Sequence, residues 1–191
     1  MPREDIIERV LEGGEYERAK ATVNRTFAMP IRTKIAIAIA GLLVTLPVAP
    51  AIVLRRTLIV AYEGTDTLEL VLGRLALLGM ATVFLAGLLL IRQRHVLLGG
   101  SLSAERARKL LRIEDLLMWF VMLGSLFGLL AAGLACLGLV YPEGVEWLYA
   151  TGVRVYAPTT ALGVDIRFVS ALGAFMSQAL FLLHMLSFSA S

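Results

Sequence analysis

Hydrophobic and polar positions in this chain are sorted into long blocks rather than mixed at short spacing. Four blocks, 35–54, 70–91, 116–140 and 168–188, are almost wholly apolar, and the charged residues collect between them. A hydrocarbon core about 30 Å thick takes roughly 20 helical residues to cross. Inside a bilayer only a helix or a closed barrel satisfies every backbone donor and acceptor. Each block therefore predicts a transmembrane helix. The chain reads as an all-α, polytopic membrane protein, with a four-helix transmembrane domain over 35–188 and a segment outside the membrane over 1–34.

The polar blocks predict elements of their own. In 3–12, Ile6, Ile7, Val10 and Leu11 share one stripe opposite charges, a short amphipathic helix ended by Gly13 and Gly14. A second helical stretch runs from Glu15 to Ala28, and Pro30 is suited to restart a helix in its first turn. The N-terminal segment either packs under its own bundle or serves as an interfacial anchor or docking helix. After Gly99 and Gly100, Ser103 is a good N-cap. One helix is expected from about Ala104 straight into the third span, with Glu105 and Lys109 at i,i+4 spacing. The 141–165 loop carries Trp147, Tyr149 and Tyr156, aromatics suited to the headgroup level. Its GVRVYA stretch reads as a short extended or hairpin segment.

Composition supports the membrane reading. Of 191 residues, 58% are hydrophobic and 17% charged, against the 45–50% apolar content usual in soluble domains; mean hydropathy is +0.79. A net charge of +3 with basic residues flanking the apolar blocks speaks for topology rather than for nucleic acid. Arg3, Arg9, Arg18, Lys20, Arg25, Arg32 and Lys34 precede the first block, and Arg92, Arg94, Arg106, Arg108, Lys109 and Arg112 follow the second. The other two loops hold only Arg55, Arg56, Arg154 and Arg167. The positive-inside rule then puts both termini and the 92–115 loop in the cytoplasm (N-in, C-in) of a multi-pass protein of the cell membrane. Residues 46–51, LPVAPA, resemble a signal-peptide cleavage site. The long, acid-rich region ahead of them favours instead a first span distorted by Pro47 and Pro50.

Candidate chemistry is sparse. The sequence has no phosphate-binding glycine loop, CxxC, HExxH or nucleophile elbow, and its single cysteine, Cys136, excludes an intramolecular disulfide. No enzymatic activity and no cofactor are expected. Polar groups at membrane depth stand out, because they are costly there. Arg74 can snorkel to the interface or pair with Glu69, Asp165 or a partner subunit. Gln178, in the middle of the fourth block, suits an interhelical bridge, a polar-substrate contact, a subunit contact or a pore lining, the last together with Ser170 and Ser177. Glu114 and Asp115 mark the entry of the third span. His95 and His184 would be the ligands of a haem, the weakest reading. Gly124, Gly128 and Gly133 in the third span and Gly173 in the fourth offer close helix approach, and these two helices are expected to pack tightly, together or across a subunit boundary. The functional expectation is a non-catalytic membrane subunit or scaffold that docks a partner through its basic cytoplasmic face, in a homo-oligomer or membrane complex. The alternative is a homo-oligomeric channel or small transporter with its pore between protomers.

Overall fold

The structure, a computed structural model, describes residues 15–46, 67–98, 103–156 and 163–189. The amphipathic helix expected over 3–12 and the outer part of the first apolar block lie outside these residues. The described chain is almost entirely helical. In order it forms α1 (Glu15–Thr22), α2 (Ile31–Leu43), β1 (Thr67–Glu69), α3 (Leu70–Leu98), α4 (Ala104–Val140), α5 (Pro142–Ala150), β2 (Gly163–Asp165) and α6 (Ile166–Ser189).

Three helices, α3, α4 and α6, are long and apolar enough to cross a membrane. The first apolar block contributes the 13-residue α2. It ends at Leu43 for a local reason. Pro47 lacks the N–H that would have bonded the Leu43 carbonyl, and the Leu46 amide takes that carbonyl instead at 3.0 Å. At the other end of α2, Pro30 occupies the N-cap position with φ −60° and extended backbone. The helix α4 is continuous over 37 residues, about 55 Å at 1.5 Å per residue. Its N-cap is Ser103, whose hydroxyl accepts from the Arg106 amide.

Contacts at the helix ends fix their directions. Lys34 near the start of α2 meets Glu114 in α4, and Arg94 near the end of α3 meets Ser187 near the end of α6. The helices α2 and α4 therefore run one way, and α3 and α6 the other. All four place these residues at one end of the bundle, here called the base. At the opposite end β1 and β2 pair antiparallel, Thr67 across from Asp165 and Glu69 across from Gly163. This ladder joins the starts of α3 and α6. Val155, in the stretch expected to be extended, adds to it by accepting from the Glu69 amide at 3.0 Å.

Short α2 lies among the three long helices and touches each of them. Its Ile35, Ala38 and Leu42 are fully buried with Met80, Val83, Leu90, Met118, Val121 and Leu180. Small residues set the closest approach. Gly79 of α3 seats in the Gly124–Gly128 notch of α4, where a Cβ on Gly79 would fall 2.6 Å from the Gly124 carbonyl and one on Gly124 2.7 Å from the Gly79 carbonyl. Gly124 and Gly128 of α4 thus pack on α3. Gly173 of α6 lies instead against Leu42 and Thr45 at the end of α2 and against Met80. The sequence suggests the third and fourth apolar blocks as partners of each other or across a subunit boundary; within the described chain, α4 and α6 each pack mainly on α3 and α2.

Candidate functional site

The densest polar constellation is at the base, and it is built from the N-terminal segment upward. The sequence of α1, EYERAKAT, puts acids in its first turn and Lys20 in its last, the arrangement that complements the helix dipole. Ala19, with Tyr16 and Val23 beside it, packs on Ala107 and Leu111 of the α4 extension. The described N-terminal helix therefore docks on its own chain. Lys20 lies over the Tyr16 ring at 4.6 Å. Past α1 the chain is held by Asp115, which accepts the Thr26 and Phe27 amides at 3.0 and 2.9 Å. Phe27 then meets Trp119 edge to face, with centroids 5.4 Å apart.

Under this cover is a buried ion pair. Lys34 Nζ is 2.8 Å from Glu114 Oε1, with side-chain exposures of 0% and 2%. The other Glu114 oxygen accepts a 2.6 Å hydrogen bond from the Tyr16 hydroxyl. Burial, and then the Glu114 carboxylate as acceptor and charge, push the Tyr16 phenol well above its ordinary range. It therefore remains a donor at any neutral pH. The Lys34 ammonium approaches Glu114 outside hydrogen-bonding angles and is buried without a hydrogen-bond partner, as is Nη1 of Arg25. On the other side of the base, buried Arg94 donates to Ser187 Oγ at 2.8 Å and lies 3.4 Å from His184 Nδ1.

The residues singled out from sequence fall in different places. Ser170 and Ser177 are buried, Ser170 donating to the Thr45 carbonyl at 3.0 Å and Ser177 to Ala174 in its own helix. Gln178 is exposed, about a quarter-turn round α6 from them, so the structure does not bring these three together. Arg74 is exposed; its two suggested partners within the chain are helix caps instead, Glu69 accepting the Val71 amide and Asp165 the Arg167 amide. His95 is exposed, whereas His184 faces Arg94. Gly124, Gly128 and Gly173 are buried, and Gly133 faces open space. Tyr156 lies not at the surface but 2% exposed within the bundle, its hydroxyl donating to the Ala135 carbonyl at 2.6 Å. Trp147 is exposed on α5.

Sequence reasoning missed Lys34, Tyr16 and Arg94, counting the two cations as topogenic flanks. The available signal was the pairing of a basic residue at the edge of one apolar block with Glu114 at the edge of another. Among the described residues no group of three or more His, Cys, Asp or Glu side chains is placed to hold a metal. The sequence matches no protein-family model, and neither the curated proteins nor the solved structures yield a similar chain.

Proposed function

We propose that this chain is a four-span protein of the cell membrane with both termini in the cytoplasm. In this reading it acts as a non-catalytic subunit or scaffold, docking a partner through its basic cytoplasmic face. The fourth span in this reading is the first apolar block. Its described part, α2, starts at the base beside Glu114 and reaches Thr45 at the level of Ser170. The orientation rests on the basic residues gathered at the base.

The observation that carries the scaffold reading is the docking of α1 on the α4 extension. It fixes the N-terminal segment through Ala107 and Leu111 and leaves Arg106, Arg108, Lys109 and Arg112 exposed on the same helix. A charged surface held on a rigid helix suits recognition, because little side-chain and loop ordering is left to complete on binding. The interior above the base is apolar; Ser170 and Ser177 are committed to carbonyls, and Ser125 alone of its serines has a buried hydroxyl without a hydrogen-bond partner among the described residues. That favours a structural role over a conducting path through one protomer.

The test is in-membrane photocrosslinking from position 108, with the adduct identified by mass. A single discrete protein adduct, lost when Arg106, Arg108, Lys109 and Arg112 are replaced by Ala, is expected. Lipid adducts alone, or ion flux through the purified protein in liposomes, would replace this reading with the channel alternative.

A further inference from the structure

The outward face of α6 is a regular seam. Phe168, Ala171, Phe175, Gln178, Leu182 and Met185 follow one another at spacings of three, four, three, four and three, and all six are exposed. That is the heptad pattern by which one helix packs along another. The exposure is high for such large apolar groups, 67% for Phe175 and 60% for Leu182. At the middle of the 24-residue helix the seam holds Gln178, which has no hydrogen-bond partner within the described chain. Lipid offers an amide neither donor nor acceptor, so this face is not finished by lipid.

We propose that α6 is a homodimer seam, in which two copies of the chain, related by a two-fold axis along the membrane normal, pair Gln178 with Gln178. Three observations select a second copy. A primary amide carries both donor and acceptor, so two of them satisfy each other across a two-fold axis. Parallel copies in one membrane present Gln178 at the same depth by symmetry. The seam carries no charge, so two copies can meet along it without burying an unpaired ion. A lone polar residue at such a position is also how helix pairs fix their register. The inference rests on the reading of α6 as a membrane span.

The test uses the full-length chain with Cys136→Ser, in native membranes and in detergent. Single cysteines at 171, 175 and 182 are expected to give disulfide-linked dimers of twice the chain mass, and cysteines at 78 and 85, exposed on α3, are expected not to. In detergent, Gln178→Leu should weaken the dimer about tenfold, the scale of such hydrogen bonds between membrane helices, and Gln178→Asn should recover part of it. A monomer at all concentrations, cross-links without the heptad period, adducts only to a different protein, or a Gln178→Leu dimer of unchanged strength would each overturn the proposal. Release of the protein from membranes by alkaline carbonate would refute the span reading instead.

Discussion

The two ends of the bundle are closed by opposite means. At the base, charged side chains meet polar partners far away in sequence, Glu114 with Tyr16 across 98 residues in a part-buried contact and Arg94 with Ser187 across 93 in a buried one. At the ladder end the work is done by backbone pairing and by carboxylates acting two residues from themselves, Glu69 on Val71 and Asp165 on Arg167. The difference sets what each end tolerates. A buried charge that loses its partner keeps its full desolvation cost. An exposed cap that is lost leaves an amide which water can serve. The base should be brittle and the ladder end forgiving.

The strongest test of that contrast is Lys34→Met. It strands Glu114 and is expected to lower stability by about 3–5 kcal/mol, read as the shift in a denaturation curve in detergent. Lys34→Met combined with Glu114→Leu should recover much of the loss, since the paired charges are then both removed. A single variant as stable as the original chain would show the base to be as forgiving as the ladder.

Next in size is Tyr16→Phe, which removes a hydrogen bond to a charged acceptor and should cost about 1.5–3 kcal/mol. The phenol titrates higher folded than free, so its contribution is complete at neutral pH and is lost as pH climbs through and beyond the ordinary value of 10.0. Protease access to α1 should therefore rise at alkaline pH in the original chain. It should already be raised at neutral pH in Tyr16→Phe, with a flatter profile.

Tyr156→Phe sharpens the comparison from the other side, because this hydroxyl is buried near the ladder but binds a neutral carbonyl. A loss of about 1 kcal/mol is expected, less than for Tyr16→Phe. The smallest effect belongs to Asp165→Ala, about 0.5–1 kcal/mol for an exposed helix cap, detected as faster amide exchange in the first turn of α6. A loss at Asp165 equal to that at Lys34 would erase the distinction between the ends.

What could be read in advance follows the same division. Local signals were legible. Ser103 announced α4 because capping is decided within one turn, and the apolar blocks announced the three long helices because their length is a property of contiguous residues. The α3 helix runs on to Leu98, past the apolar block that ended at 91, because an apolar run marks what is buried and not where helical backbone stops. The first block shows the converse, for Pro47 acts four residues ahead on Leu43. Pairings were not legible. Gly124 and Gly128 mark a surface that admits close approach, but the residue that fills it, Gly79, belongs to no motif of its own. Lys34 and Glu114 each looked like ordinary flanks until the fold placed them together. The inward and outward faces of α6 were equally hidden, because a helix apolar all round has little amphipathic signal to orient it.

The buried pair at the base also imposes an order of events during synthesis. Lys34 leaves the ribosome about 80 residues ahead of Glu114, roughly 4–16 s at ordinary elongation rates, and Tyr16 leaves 98 residues ahead. Throughout that interval the Lys34 ammonium is without the Glu114 partner it has in the fold and must stay hydrated. Arrested nascent chains that end before residue 114 should leave Lys34 open to amine-reactive reagents, and longer ones should shield it. The N-terminal segment therefore closes over the base only after residues 107–115 have been made, so a segment made early settles late.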